Sequence, residues 1–177
     1  WKTVAENVAL GLKFRGVPAA ERERVVKKYI ELVGLPGFEG RYPHELSGGM
    51  RQRCALARTL ANDPDLLLMD EPFAAVDAQT REILQEELLK IWGEHLAPRE
   101  RKTVLFVTHS IDEAVFLSDR VVVMSARPGV IKECFVNPLG RPRSEASRSS
   151  PEYLKARDYL WSLVKGEALK AMQQRFS

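Results

Sequence analysis

The stretch from Leu46 to Asp77, LSGGMRQRCALARTLANDPDLLLMDEPFAAVD, constrains this chain more than any other. It reads as loop, helix, turn, strand, acidic tip and loop. Leu66-Leu67-Leu68-Met69 is a continuous apolar run, the pattern of a strand covered on both faces. It ends in Asp70-Glu71-Pro72. In open α/β sheets ligands sit beyond the carboxyl ends of strands, so two acids there are placed for chemistry. Upstream, Ser47-Gly48-Gly49 opens a helix. A helix start offers unpaired N–H groups and the positive end of a dipole, which suit an anion. Two glycines remove the Cβ atoms that would hold a phosphate away. The stretch reads as half of a site that handles a nucleoside triphosphate.

The remaining chain fits an α/β domain around it. The 177 residues suffice for one domain with a core, and 45% hydrophobic residues argue against disorder. A net charge of +3, from 27 basic and 24 acidic side chains, gives no argument for nucleic acid. Cys54 and Cys134 match no metal spacing and read as small core residues in a reducing compartment. No apolar run approaches the roughly 18 residues that span a bilayer, and no secretory signal is visible.

Taken in order, residues 3–14 read as a helix with Val4, Val8 and Leu12 on one face. Pro18 opens a second helix to about Val33, striped by Val26, Ile30 and Val33, with Val25, Tyr29 and Leu32 widening the stripe. Glu21 to Arg24, Lys27 and Lys28 make its solvated side, and Gly34 stops it. Residues 34–46 form a loop. The helix from Ser47 to about Ala61 buries Met50, Cys54, Ala57 and Ala61, and Asn62-Asp63-Pro64 turns the chain. Asp77 caps a helix striped by Ile83, Leu84, Leu88, Ile91 and Trp92. Thr103 to Val107 is a second buried strand ending at Thr108-His109, and Ser110 caps a short helix. Val121 to Met124 is a third strand. Arg127-Pro128-Gly129 turns the chain into a fourth, Val130 to Val136, as its hairpin partner. The strand-helix-strand order predicts parallel pairing with right-handed crossovers. Residues 137–150, rich in Pro, Arg and Ser, read as a linker. A last helix begins at Pro151 and carries Leu154, Leu160, Trp161, Val164, Leu169 and Met172.

Three side chains carry the expected chemistry. An Asp at the tip of a buried strand commonly holds Mg²⁺ in phosphate-handling enzymes, and Asp70 fits. Successive strand side chains point opposite ways, so Glu71 is free for another task, such as accepting a proton from a water that attacks a phosphoryl group. Asp-Glu-Pro is equally a plain polar turn when taken alone. His109 stands at another strand end, 38 positions after Glu71, and would converge with the acids if the strands are neighbours. His44 and His95 lie in polar, loop-like contexts and receive no role.

At these residues the chain resembles the ATP-binding subunit of an ABC transporter. LSGGMRQR, then LLLMDEPFAAVD, then TVLFVTHSIDEAVFLSDRVVVMSARPG carry the likeness, which extends from Trp1 to about Val136. It implies a P-loop NTPase fold of α/β class, with a parallel core sheet and a helical subdomain. Leu46 to Met50 resembles the signature motif, Leu66 to Glu71 Walker B, and Ala74 to Asp77 the D-loop. Ala74-Ala75-Val76-Asp77 departs mildly from the usual D-loop, and Ser110 stands where Asp is common. Trp1-Lys2-Thr3-Val4 with Asn7-Val8, then Phe73, and the turn from Ser125 to Gly129 resemble importers of nitrate, sulfonate, taurine and related anions. No G-x-x-x-x-G-K-[ST] occurs, and the expected reading is a C-terminal portion cut upstream of Trp1, inactive alone.

The resemblance implies ATP and Mg²⁺ as cofactors and a head-to-tail pair of ATP-binding subunits. Ser47, Gly48 and Gly49 would then meet the γ-phosphate of a nucleotide held by the second subunit. Asp70 would hold Mg²⁺, Glu71 would be the catalytic glutamate and His109 the switch histidine for the chain's own nucleotide, and Asp77 would link the two sites. A membrane permease subunit would be the docking partner, with a substrate-binding protein engaged indirectly, at the cytoplasmic face of the plasma membrane. The expected division is a helical subdomain with the signature at 1–62, a core at 63–137, and a linker with a C-terminal helix at 138–177. Rival classes are a DNA-repair or chromosome-maintenance ATPase, and a non-catalytic half-domain module. The first places long coiled coils or zinc inserts ahead of its signature, where this chain has short helices and no Cys pairs.

Overall fold

Local capping chemistry sets where the first helices begin. In the structure, a computed structural model that describes residues 1–125 and 128–175, Thr3 Oγ1 accepts from Glu6 N at 3.3 Å while Glu6 Oε2 accepts from Thr3 N at 2.8 Å. This reciprocal pair starts α1 (Val4–Val8) and is worth about 1 kcal/mol as a cap. Arg127, expected to open a turn, lies outside the described residues, as do the side chains of Leu169 and Met172. Two compact units are present, Trp1–Val107 and Thr108–Ser177.

In the first unit α1 runs into α2 (Leu10–Phe14) through Ala9, whose backbone stays right-handed, so the expected single helix is two with one shared face. Val4, Val8 and Leu12 on that face are buried. α3 (Ala19–Leu32) buries Val26, Tyr29 and Ile30, and its charged side is open to solvent. Gly34 at φ +66° lets the chain reverse after it. α4 (Gly48–Ala61) packs against α1, α2 and α3 with Cys54, Leu56, Ala57, Leu60 and Ala61 buried; Met50 is only half-buried. The α4 arginines act as struts. Arg53 Nη1 donates to the Val33 and Gly34 carbonyls at 3.0 Å each, closing the end of α3, and Arg51 Nη1 donates to Leu46 O at 2.6 Å.

β1 (Leu66–Asp70) pairs in parallel with β2 (Thr103–Val107), Leu66 opposite Thr103 and Asp70 opposite Val107. α5 (Ala78–Trp92) lies between them in sequence, so the unit contains the expected β-α-β crossover. The expected double-sided burial does not hold. Leu67 and Met69 are buried, whereas Leu66 and Leu68 are 54% and 65% exposed, and Leu105 and Val107 on β2 are exposed too. Side chains alternate along a strand, and packing within the unit reaches one face of this two-stranded sheet. On α5 the buried set is Leu84, Gln85, Leu88 and Leu89; Ile83, expected in the stripe, faces solvent, and Ile91 and Trp92 are half-buried.

The second unit opens with α6 (Ile111–Leu117), then β3 (Arg120–Met124) and β4 (Ile131–Val136). β3 and β4 form the expected hairpin, an antiparallel pair in a sheet of its own, so the parallel pairing expected from the strand-helix-strand order holds for β1 and β2 and does not extend to β3. The short connection favours this, since adjacent strands a few residues apart form a hairpin more readily than a crossover. Cys134, expected in the core, is exposed on β4, because the alternation turns Phe135 inward against the Tyr159 ring at 5.3 Å.

The segment expected as a linker is a packed strap. Asn137 Nδ2 donates to the carbonyls of Val115 and Ser118 at 2.7 and 2.8 Å. The Arg143 side chain is 1% exposed. Its Nη1 donates to Phe116 O and Ser118 O at 2.9 Å each and to Val115 O at 3.3 Å, and its Nη2 to Leu139 O at 2.9 Å. A guanidinium thus closes the carbonyl end of α6, where the dipole is negative. α7 (Pro151–Arg175) packs on α6 through Tyr153, Ala156 and Leu160; Leu154, Trp161 and Val164, expected in its buried stripe, are exposed. Tyr153 Oη donates to Asp112 Oδ1 at 2.8 Å, and burial followed by that bond pushes its phenol up to about 12.

Candidate functional site

The mouth at residues 47–49 is built by the start of α4. Ser47 is the N-cap: its Oγ accepts from Met50 N at 3.2 Å, leaving the hydroxyl proton to donate outward. The two glycines do different work. A Cβ on Gly48 would meet nothing nearer than a guanidinium nitrogen of Arg51 at 3.9 Å, so Gly48 faces open space. A Cβ on Gly49 would lie 2.6 Å from the Ala75 carbonyl oxygen. Gly49 is required so that α4 can abut the turn that follows the acids.

That turn begins at the end of β1. Asp70 is exposed at the strand tip. Glu71 is half-buried and has φ +44°, a left-handed conformation costing a non-glycine residue roughly 1–2 kcal/mol. Its N–H donates to Val107 O at 2.9 Å, continuing the β1–β2 ladder by one residue. Its carbonyl accepts from Ala74 N at 3.2 Å and from Gln52 Nε2 at 2.7 Å. Phe73 is buried against Phe106, with ring centroids 5.7 Å apart, which anchors the turn under β2. Asp77 closes it as the N-cap of α5, its Oδ1 accepting from Thr80 N at 2.9 Å; that bond holds its carboxyl below the usual carboxylate range.

Asp70 offers a single exposed carboxylate. Among the described residues no three His, Cys, Asp or Glu side chains cluster as a ready-made metal cage. This donor set fits Mg²⁺, which takes one or two carboxylates and completes its shell with water and substrate phosphates.

His109 belongs to the second unit, exposed in the bend before α6. Its neighbours fix that bend. Thr108 Oγ1 donates to Glu113 Oε2 at 2.6 Å and accepts from Ser110 N at 3.0 Å, while Ser110 Oγ accepts from Glu113 N at 3.3 Å. The first unit therefore joins Ser47, Gly48 and Gly49 to the turn carrying Asp70, Glu71 and Asp77, and the second carries His109. His44 stacks on the Tyr42 ring, centroids 5.7 Å apart. Gln52 escapes a reading of the sequence, because a Gln within MRQR at a helix start looks like one more solvent-facing side chain.

An acid-tipped parallel strand, joined to its neighbour through α5 and lying beside a glycine-opened helix, puts this chain in the α/β class. Residues 1–74 match the family model of the ABC transporter. An uncharacterized ABC transporter ATP-binding protein of Methanocaldococcus jannaschii is 58% identical over 173 residues, covering 98% of this chain and 62% of that protein. A taurine import ATP-binding protein of Rhizobium johnstonii is 46% identical over 169 residues, covering 93% and 63%. Among solved structures, a dimeric ATP-binding cassette in a post-hydrolysis state bound to ADP and Pi superimposes with a TM-score of 0.63 at 32% identity, over 76% of this chain and 56% of that one. The chain belongs to the ATP-binding domains of ABC transporters. It spans a little under two thirds of the length of these curated relatives. Among the described residues no helix is long and apolar enough to cross a membrane.

Proposed function

We propose that this chain is part of the ATP-hydrolysing subunit of an ABC importer for a small anion such as taurine, another sulfonate or nitrate. The observation that carries the reading is the abutment of the 47–49 mouth against the turn after Asp70 and Glu71, fixed by the approach of Gly49 to Ala75 O. In this reading the amides at 47–49 and the Ser47 hydroxyl face the γ-phosphate of an ATP held by a second ATP-binding subunit. Glu71 orients or deprotonates the attacking water at its own ATP, and His109 contacts that γ-phosphate. Asp77 joins the two sites. Asp70 holds Mg²⁺, which when bound offsets the phosphate charge. The helices of residues 1–62 dock on a membrane permease at the cytoplasmic face, the core is 63–137, residues 138–177 form the tail, and a substrate-binding protein acts through the permease.

Gly48→Asp tests the mouth. The position is open, and an acid in the first turn of a helix is favourable, so the variant is expected to fold and melt like the wild type. Two unit charges about 4 Å apart repel by roughly 4 kcal/mol at an effective dielectric of 20, so ATP turnover of the intact transporter should fall at least 10²-fold. Turnover at the wild-type rate would remove the mouth from the phosphate path.

A further inference from the structure

We infer that Gln52 is a positioning residue for Glu71, acting through a two-ended clasp between α4 and the turn after β1. The inference rests on the reading of Glu71 as the group that faces the attacking water. Gln52 Nε2 donates to Glu71 O at 2.7 Å, and Gln52 Oε1 accepts from Ala75 N at 3.2 Å. One amide therefore spans the turn from its first residue to its fifth, with both of its heteroatoms engaged.

The backbone at Glu71 needs such a clasp. At φ +44° it occupies a conformation that L residues avoid, and Pro72 after it disfavours helical angles further. A strained residue keeps its conformation only where its surroundings over-determine it. The direction of the Glu71 Cα–Cβ bond is set by the two peptide planes that flank it. The bond from Glu71 N to Val107 O, 2.9 Å, pins the first plane to β2. The bond from Gln52 pins the second to α4. The close approach of Gly49 to the Ala75 carbonyl leaves α4 no room to slide toward the turn. The helix whose start forms the mouth is thus tied to the backbone that aims Glu71, within one chain. A displacement of α4 would reach the Glu71 carbonyl through this side chain.

The test is steady-state ATP hydrolysis by the intact transporter, with kcat referred to folded protein by circular dichroism. Gln52→Ala is expected to lower kcat about 10- to 100-fold, the penalty of a misplaced catalytic group, with KM for ATP within about twofold of wild type. Gln52→Glu retains an acceptor for Ala75 N but has no donor for Glu71 O, and its kcat should fall as far. Thr3→Ala, which removes a cap at α1, controls for lost stability and should leave kcat unchanged. Glu71→Gln, run alongside, separates the two readings. If it stops turnover while Gln52→Ala and Gln52→Glu hydrolyse at the Thr3→Ala rate, the clasp is overturned and the role of Glu71 survives. If Glu71→Gln hydrolyses at the wild-type rate, both are overturned.

Discussion

Glu71→Gln in the intact transporter is expected to bind ATP with unchanged affinity and to hydrolyse it about 10²- to 10⁴-fold more slowly, the range by which a positioned general base accelerates a reaction. The substitution keeps the side chain's volume and its place at the head of the turn. The backbone bonds to Val107 and Gln52 involve only main-chain atoms of residue 71, so the fold there should persist. What is lost is the carboxylate oxygen able to take a proton from water. Equilibrium nucleotide binding and steady-state phosphate release, measured on the same preparation, give the comparison. A variant that fails to bind ATP would place Glu71 in the binding step, and one that turns over normally would remove it from the chemistry.

Arg143→Leu is expected to be the most destabilising change in the second unit. The guanidinium is desolvated and donates to main-chain carbonyls at the end of α6 and along the strap. Asp119 Oδ1, on a largely exposed side chain, lies 3.8 Å away and gives weak pairing. Removing the donor takes its bond from Phe116 O and Leu139 O and leaves Val115 O and Ser118 O with their Asn137 bonds; at about 1–3 kcal/mol for each buried carbonyl that loses its partner, a total loss of roughly 3–5 kcal/mol is expected. For a chain of this length that lowers the melting temperature by roughly 6–20 °C. Arg143→Lys keeps the charge but offers a shorter, unforked donor, and should fall between. Thermal melts of the three proteins check this, and a leucine variant melting within a degree of wild type would show that the strap's closure of α6 contributes nothing.

The elements that local chemistry encodes were legible in the sequence. Ser47, Asp77 and Ser110 read as helix starts and are N-caps, each accepting from the amide three residues on. Gly34 read as a helix stop and takes the positive φ that such a stop uses. The apolar stripes of the first helices were legible too: Val4, Val8 and Leu12, then Val26, Ile30 and Val33, then Cys54, Ala57 and Ala61 are buried, because helical periodicity is written in the spacing of apolar residues. What was not legible depends on partners distant in the chain. An apolar run does not say how many of its faces will be covered, so Leu66 and Leu68 read as buried. The strap at 137–150 has a linker's composition, yet Asn137 and Arg143 are buried because α6 presents them with a ring of carbonyls. Cys134 read as core because apolar neighbours flank it, but β alternation decides which of them turn inward. At the candidate site the acids and glycines were legible as types, and their abutment, the strain at Glu71 and the Gln52 clasp required coordinates.

In the proposed arrangement the mouth at 47–49 serves a nucleotide held by a second subunit while Asp70 and Glu71 serve the chain's own. ATP turnover by transporters with two distinguishable ATP-binding subunits tests it directly. In one, a single subunit carries both Gly48→Asp and Glu71→Gln; in the other, each subunit carries one of them. Dividing the changes leaves one site with an unaltered mouth and an unaltered glutamate, so that complex should keep hydrolysing, while the doubly altered subunit should spoil both sites and stop turnover. Hydrolysis by the first complex and none by the second would contradict the account, because it would place the mouth and the carboxylates of one chain on the same nucleotide.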